Sequence, residues 1–292
     1  AAKAAEDGLA SVTSVNPTGS GTTAAPITTM TTEAPATTTT TSEAPTTTTT
    51  TLPPPLTVAA SGDVLGERGP GYFMDEHGGA AVFEKVKPLL EPAAPPLVNG
   101  EGPISATGIR ASWKEYTFRG RPALADGLAS AGIDVISLAN NPRMDYGSKA
   151  LLETFVRLRE VGVQWAGAGA NSKEAAAPAM LITPAGMVAV LAFTDIIPGG
   201  FTAGKETPGV NATTPDREKI LSAVKAANEK ADYVIVSFHW GEEYTGQAAR
   251  DQRELAHQVV DAGADLVLGH HPHVRQGLGL YRNRLIAYSL GD

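Results

Sequence analysis

The chain has 292 residues, a formal net charge of −8 and no cysteine. Its lysines and arginines are spread along the sequence without a basic block, so we expect no nucleic-acid partner. The lack of cysteine excludes disulfide bonds and sulfur-rich metal sites, and it is compatible with an oxidising exterior. No apolar stretch is long enough to span a bilayer, so we expect any signal peptide or anchor to lie outside this sequence.

Residues 1–55 differ in composition from the rest of the chain. Between Thr22 and Thr51 the sequence is mostly threonine with alanine, proline and glutamate, and it has no apolar periodicity from which to build a core. Such segments stay disordered and commonly hold a domain away from a wall or membrane; the alternative is an inert low-complexity tail. We predict a disordered stalk or linker over residues 1–55, ending in the stiff triple proline 53–55, and a globular domain over residues 56–292.

Short apolar runs alternate with helical patterns beyond Leu56, which predicts an α/β domain. Strands are predicted over 56–60, 96–99, 133–139, 163–166, 179–183, 188–193, 233–238 and 266–268, with two more around Leu278 and Ile286. Helices are predicted over 80–90, 123–131, 148–161, 215–231 and 247–262. Thr214 and Pro215 are suited to begin the fourth helix, and Gly263 to end the fifth. The Ala185-Gly186 pair predicts a hairpin, so part of the sheet system is antiparallel.

Polar clusters follow directly after five of the predicted strands. They are Gly62-Asp63, Asn99-Gly100-Glu101, Asn140-Asn141, His239-Trp240-Gly241-Glu242-Glu243 and Gly269-His270-His271-Pro272-His273. Open α/β sheets gather their sites at the carboxyl edge of the strands. Each cluster alone has a structural explanation, since Asp63 can cap a helix and His239 can be a hydrogen-bonded core residue.

The histidines are concentrated in two of these clusters. His271 and His273, two residues apart on an extended segment, project to the same side, and Pro272 stiffens the link between them. The other two of the six histidines, His77 and His257, have no comparable company and are interpreted as structural or exposed. Imidazoles with carboxylate and amide oxygens suit Zn, Mn or Fe, so the pattern predicts a divalent-metal site.

Six motifs follow one another in a fixed order. They are Gly62-Asp63 with Arg68, Asn99-Gly100-Glu101-Gly102-Pro103-Ile104, Ser137-Leu138-Ala139-Asn140-Asn141, His239-Trp240-Gly241-Glu242-Glu243-Tyr244, Gly269-His270-His271-Pro272-His273-Val274 and Ala287-Tyr288-Ser289-Leu290-Gly291. In this order the chain resembles, over residues 57–292, the bacterial capsule-synthesis CapA family, which includes poly-γ-glutamate biosynthesis proteins of the PgsA type. That family resembles calcineurin-like metallophosphoesterases, which implies a four-layer sandwich of two mixed β-sheets flanked by helices.

The resemblance also implies roles for individual residues. The implied ligands of one or two divalent ions (Mn, Fe or Zn) are Asp63, Glu101, Asn141, His239, His271 and His273. Arg68 and Asn140 would bind the substrate, and Asn141 and His270 would act in catalysis. A two-ion site of this kind, with ions roughly 3.5 to 4 Å apart, activates a bridging water and clamps a phosphoryl group.

The sequence departs from the family at two positions that matter for chemistry. Pro142 stands where the family has a histidine after the two asparagines, and proline can neither donate nor accept the proton that the imidazole would transfer. We expect turnover to be weakened by about 10²- to 10⁴-fold, unless His270 supplies the proton from another loop. Leu65 stands where many phosphoesterases have a histidine two residues after the first aspartate, so a single tightly bound ion is also compatible with the sequence.

Three functions are compatible with these features. The first is an extracellular or cell-envelope protein of capsule or poly-γ-glutamate biosynthesis or export, tethered by a segment outside this chain. It would bind an anionic polymer or a phosphate-containing molecule and act with a membrane capsule-synthesis complex. The second is a secreted metal-dependent phosphoesterase, and the third is a non-catalytic wall-binding domain. The motif order and the stalk favour the first.

Overall fold

The computed structural model describes residues 10–15, 53–213 and 216–292. The strands in these residues are β1 (Ala10–Val15), β2 (Leu56–Leu65), β3 (Pro96–Glu101), β4 (Val135–Ser137), β5 (Gln164–Ala166), β6 (Ala168–Gly169), β7 (Ala179–Thr183), β8 (Gly186–Thr194), β9 (Gly209–Val210), β10 (Tyr233–His239), β11 (Leu266–His270), β12 (Leu278–Tyr281) and β13 (Arg284–Ala287). The helices are α1 (Arg68–His77), α2 (Gly79–Phe83), α3 (Lys87–Leu90), α4 (Ala123–Ser130), α5 (Gly147–Glu160), α6 (Ser172–Ala176), α7 (Arg217–Asn228) and α8 (Arg250–Asp261).

Two large sheets contain most of the strands. The first has the order β1-β2-β3-β4-β5, in which β2 to β5 are parallel and β1 is antiparallel to β2. The second has the order β12-β13-β11-β10-β8-β7, with a parallel centre and antiparallel pairs at both edges. The short strands β6 and β9 form a separate antiparallel pair.

Alternation of side chains along the strands builds three apolar layers from these two sheets. Val58, Leu97 and Val135 of the first sheet pack with residues of the second sheet such as Val190 and Ile235. The neighbouring residues on the opposite face of the first sheet, which include Val98 and Ile136, pack against helices α1 to α5. On the outer face of the second sheet, Val234 and Val236 pack against α7 and α8. The layers are therefore helices, sheet, sheet, helices, which confirms the predicted fold class.

Most predicted elements are present with shifted ends. The strand at 179–183 has the predicted bounds, and β7 and β8 form the predicted hairpin with Thr183 paired to Gly186. The prediction of one continuous helix over 80–90 is wrong, because the chain forms the two short helices α2 and α3 there. Helix α1 was not predicted, because its ten residues include two glycines and a proline, which weaken a helical pattern. The predicted cap formed by Thr214 and Pro215 lies outside the described residues.

The stretch predicted as a stalk contributes one strand to the described structure. β1 pairs antiparallel with β2, with Ala10 opposite Ala60 and Val15 opposite Leu56. This edge strand was not anticipated from the sequence. Residues 1–9 and 16–52 lie outside the described residues, so the prediction of a disordered segment between Thr22 and Thr51 stays a prediction, as does the domain boundary at residue 56. Within the described part of the chain, no helix is both long and apolar enough to span a membrane.

Candidate functional site

The polar clusters predicted from the sequence meet where the two sheets face each other at their carboxyl edges. In the first sheet Asp63 pairs with Asn99 and Leu65 with Glu101. In the second sheet His239, the last residue of β10, pairs with His270, the last residue of β11. Strand register thus brings side chains that are up to about two hundred residues apart into one cluster; the backbone N–H of His271 donates to Asp63 Oδ2 at 3.1 Å.

An irregularity in β2 sets the position of Asp63. Ala60 pairs with Leu97 and Asp63 with Asn99, so β2 carries one more residue than β3 over this stretch. Gly62 lies at the irregularity, and a Cβ atom there would be 1.8 Å from the carbonyl oxygen of Gly291. That closeness allows the backbone N–H of Asp63 to donate to Gly291 O at 2.9 Å. Glycine is required here because the two backbones touch.

Asn99 links the buried acidic residues. Its side-chain amide donates to Asp63 Oδ1 at 2.8 Å and to Glu101 Oε2 at 3.2 Å, and it lies 3.5 Å from His239 Nδ1. Asp63, Glu101 and His239 each offer one ligand atom, and these three atoms lie within 4.8 Å of one another. We call these three residues the inner group.

Burial dominates the electrostatics of the two carboxyls in the inner group. It raises the pKa of Asp63 to about 7, although His273 and the Asn99 hydrogen bond act in the opposite direction. It likewise raises the pKa of Glu101 to about 8, and the nearby Asp63 charge adds to that effect. Two buried carboxyls so close together favour either a shared proton or a bound cation.

The imidazoles divide into neutral and charged rings. Burial lowers the pKa of His239 well below its usual value and that of His271 to about 4, so both rings are neutral near pH 7. His273 behaves differently because its Nδ1 lies 2.8 Å from Asp292 Oδ1 and 3.4 Å from Asp63 Oδ2. The Asp292 hydrogen bond is the main cause that raises the pKa of His273 to about 9. A metal ion bound here would have to displace that proton.

Asn141 lies beside the inner group as predicted, with its Oδ1 2.8 Å from His239 Nε2. Asn140, predicted to bind substrate, is fully buried and donates to Gly100 O at 2.7 Å. That contact suits a residue that holds the end of β3 in place. Its substrate role stays a prediction.

Two other predicted roles fit their surroundings less well. His270 is fully buried, and burial lowers the pKa of its ring to about 3, which does not suit a general acid near pH 7. Arg68 is exposed and its guanidinium stacks over the Phe118 ring at 4.7 Å from the ring centroid. Among the described residues it makes no hydrogen bond or ion pair with the cluster.

The sequence analysis missed three residues that the structure places at the cluster. Asn99 and Glu243 stand within the quoted motifs, and their polar character next to predicted ligands was the available signal. Nothing in the sequence pointed to a role for Arg143 at this site. It is fully buried, donates to the carbonyl oxygens of Gly100 and Leu138, and its charge lowers the pKa of Glu101 against the effect of burial.

The residues present are suited to a divalent ion. His271 Nδ1 and both ring nitrogens of His270 are buried without a hydrogen-bond partner among the described residues. Buried polar atoms without a hydrogen-bond partner are rare in folded proteins and call for an explanation. Neutral imidazoles and carboxylates within 4.8 Å of one another form the nitrogen and oxygen donor set that Zn, Mn and Fe prefer.

The two facing sheets and their outer helices define a four-layer α/β sandwich with polar loops at the shared carboxyl edge. This is the architecture that the resemblance to calcineurin-like metallophosphoesterases implied. Residues 57–292 match a family described as bacterial capsule synthesis protein PGA_cap, and the chain belongs to this family. This confirms the resemblance found from the motifs.

Two relatives illustrate the range of the family. The capsule biosynthesis protein CapA of Bacillus anthracis is 33% identical over 241 residues, which cover 81% of this chain and 59% of the relative. The PGA biosynthesis protein CapA of Bacillus subtilis (strain 168) is 31% identical over 233 residues, which cover 79% of this chain and 61% of the relative. The chain therefore spans about three fifths of the length of these relatives.

Proposed function

We propose that this protein acts in the synthesis or export of a capsular or poly-γ-glutamate polymer at the cell surface, through a divalent-metal site at the shared edge of its two sheets. The observation that carries the proposal is the inner group of Asp63, Glu101 and His239, which converges from three strands in a chain of the PGA_cap family. The names of the two CapA relatives, which refer to capsule and PGA biosynthesis, support a role in making this kind of polymer. Location outside the cell or in the envelope, tethered by a segment outside this chain, belongs to the same proposal.

The residues of the site have separable tasks in this proposal. Asp63, Glu101, Asn141, His239, His271 and His273 would hold one or two ions of Mn, Fe or Zn. A bound ion of this kind polarises a phosphoryl or carbonyl oxygen and lowers the pKa of a bound water. The Asn99 amide orients Asp63 and Glu101 toward each other.

Neutral imidazoles and one buried arginine balance the charge of the site in this proposal. Burial keeps His239 and His271 neutral, so that a ring nitrogen of each can donate a lone pair. Arg143 is fully buried and donates to the Gly100 carbonyl oxygen in β3, close enough for its charge to act on Glu101. Without the positive charge of Arg143, only protonated His273 or a bound metal ion would offset the two buried carboxyls.

The substrate in this proposal is anionic. An anionic polymer, or a phosphate-containing intermediate of its synthesis, is attracted to a site that carries bound divalent cations. A membrane capsule-synthesis complex is the proposed macromolecular partner, because export of a polymer requires a path through the envelope.

The test is complementation of a host strain that lacks the gene. Surface polymer is measured by amount and chain length after expression of the wild type, of a His271→Ala, His273→Ala double variant, or of a matched His77→Ala, His257→Ala control. We expect the wild type and the control to restore the polymer and the site variant to fail. An unchanged polymer in the deletion strain would remove the proposed role, and full restoration by the site variant would remove the site from it.

A metal-dependent phosphoesterase is the second candidate. The observation that favours it is the approach of Asn141 Oδ1 to His239 Nε2 next to two carboxyls, a donor set that suits hydrolytic metal chemistry. Pro142 counts against efficient turnover. If purified protein shows neither bound metal nor hydrolysis of an aryl phosphate, the non-catalytic wall-binding domain becomes the better description.

A further inference from the structure

A second group of ligand atoms lies next to the inner group and includes a carboxylate to which no role has been assigned. Glu243, His271 and His273 each offer one atom, and these atoms lie within 4.8 Å of one another. We call these three residues the outer group. Glu243 comes from the loop that follows β10, whereas the two histidines come from the loop that follows β11.

Hydrogen bonds between the two loops hold Glu243 in this position. The backbone N–H of Tyr244 donates to Pro272 O at 2.8 Å, which ties the residue after Glu243 to the residue between the two histidines. Gln276 Nε2 donates to Thr245 O, also at 2.8 Å. The proximity of Glu243 to the imidazoles is therefore set by backbone contacts on the loop and does not depend on the side chain alone.

Backbone strain is concentrated in the same two loops. Among the described residues, positive φ angles at non-glycine positions include 60° at Tyr244, 97° at His271 and 55° at His273. Each such conformation is sterically unfavourable for a residue with a Cβ atom, and residues of this kind cluster at functional sites. Three of them in two touching loops indicate that the geometry of the outer group is maintained against a local cost.

The outer group also has unsatisfied binding capacity. His271 is only 5% exposed, yet its Nδ1 has no hydrogen-bond partner among the described residues. Within residues 53–213 and 216–292, the Glu243 carboxylate takes part in no ion pair or hydrogen bond. Leu65, the last residue of β2, has no ligand atom with which to complete a second ion position.

We infer that Glu243 is a metal ligand, which together with His271 and His273 forms a second divalent-cation position outside the inner group. Two imidazoles and one carboxylate are a donor set found in zinc enzymes that keep a further coordination position open. In this arrangement Glu243 supplies the ligand that Leu65 cannot. The inference rests on the proposed function, because it requires that the site bind metal at all.

The neighbouring Glu242 provides a matched control for the experiment. Both glutamates are exposed and lie in the same loop, but Glu242 belongs to none of the ligand groups. Full-length wild type, Glu243→Gln and Glu242→Gln are stripped of metal, titrated with Zn²⁺ or Mn²⁺ by calorimetry, and analysed for bound metal after dialysis. Thermal unfolding of the metal-free proteins checks that each variant folds.

We expect the wild type and Glu242→Gln to bind two ions, and Glu243→Gln to bind the second ion at least about tenfold more weakly or to lose it. Glu243→Gln with the stoichiometry and both affinities of the wild type would overturn the inference and leave the inner site intact. A wild type that binds a single ion with an affinity unchanged in Glu243→Gln would overturn it as well. No metal in any of the three proteins would overturn the proposed function itself.

Discussion

Pro142 lies at the place in the cluster where a proton donor would be most useful. It directly follows Asn141, whose Oδ1 contacts His239 Nε2 at 2.8 Å, and it is itself buried. Its carbonyl oxygen accepts the backbone N–H of Asp145 at 3.0 Å, so the turn is well supported. His270 is poorly suited to replace the missing imidazole near pH 7, because it is fully buried and its pKa is lowered to about 3, and its catalytic role stays a prediction.

Pro142→His tests whether the lost imidazole limits turnover. If the site is a weakened phosphoesterase, this change should raise the metal-dependent hydrolysis of an aryl phosphate by about 10²-fold or more, since a general acid becomes available to the leaving group. The measurement is kcat at saturating Mn²⁺ or Zn²⁺. Pro142→Ala, which relaxes the turn without adding an imidazole, should show no such gain, and an equal rate in all three proteins would contradict the predicted role of this position.

Residues at this scale were predictable only where their chemistry is unusual. Histidines and acids after strands stand out in a sequence, and the structure brings Asp63, Glu101, His239 and His271 into one cluster. Their roles as ligands stay a prediction. Asn99 stood in a quoted motif without a role, yet its amide joins both carboxyls. An asparagine is common in turns, so its importance became visible only through its contacts.

At the scale of elements, the end of β2 is the feature that most constrains the site. One extra residue in β2 between Ala60 and Asp63 turns the carboxylate toward Asn99, and Gly62 leaves room for the backbone of Gly291. A segment near the end of the chain therefore supports the first loop of the domain. The two loops are 228 residues apart along the chain and share one hydrogen bond, from Asp63 N to Gly291 O.

Gly62→Ala should disrupt this support. The new Cβ atom would be 1.8 Å from Gly291 O and 2.5 Å from Gly291 C, both backbone atoms that cannot rotate away. We expect a loss of roughly 1 to 3 kcal/mol in the free energy of unfolding, measured by urea denaturation, together with weaker metal binding.

Gly69→Ala is the matched control for that change. Gly69 lies in α1, and nothing lies within 4 Å of the position that its Cβ would take. Alanine there should change stability by less than about 1 kcal/mol, because the gain from restricting the unfolded chain is offset by the limit that the following Pro70 places on a helical residue with a Cβ atom. Equal stability of the two variants would show that the close approach at Gly62 is not a constraint.

Secondary structure was predicted well where apolar periodicity is strong and poorly where it is weak. The strands β3, β8, β10 and β11 are buried along their whole length or nearly so, and their apolar runs identified them. β1 could not be predicted in the same way, because its identity as a strand comes from pairing with β2. Helix α1 forms in spite of its composition, with Met74 buried against the first sheet.

At the scale of the whole molecule, the buried charges of the site make stability depend on pH and metal. Asp63, Glu101 and His273 have pKa values of about 7, 8 and 9 in the folded protein, all above their unfolded values of 3.8, 4.5 and 6.5. Between pH 6.5 and about 8.5 the folded state therefore holds protons that the unfolded chain has released. Burial lowers the pKa values of His239, His270 and His271 below the unfolded value of 6.5, so these rings oppose the effect only near pH 6.5, where the unfolded imidazoles still hold protons.

We predict that the metal-free protein loses stability as pH rises from 6.5 to about 8.5. The expected loss in the free energy of unfolding is on the order of 2 to 4 kcal/mol, because each group whose folded pKa is raised loses its contribution as pH passes through that pKa. Urea unfolding in the presence of EDTA measures the loss. With saturating Mn²⁺ the slope should vanish or reverse, since the ion takes the place of the protons.

An Asp63→Asn, Glu101→Gln double variant provides the control for this prediction. Without the two carboxyls, the pH dependence of the metal-free protein over the same window should be much flatter. Metal-free wild type that is equally stable or more stable at pH 8.5 would contradict the assignment of raised pKa values to these groups.

The sequence by itself determined the α/β class, the antiparallel hairpin, the family and the set of polar residues that follow the strands, because apolar periodicity and short motifs are local properties of the chain. Tertiary structure alone decided how those residues divide into an inner and an outer group, that the buried His270 ring makes no hydrogen bond with the described residues, and that Glu243 lies beside His271 and His273. These features depend on strand register and on contacts between loops far apart in sequence, and no local pattern records either.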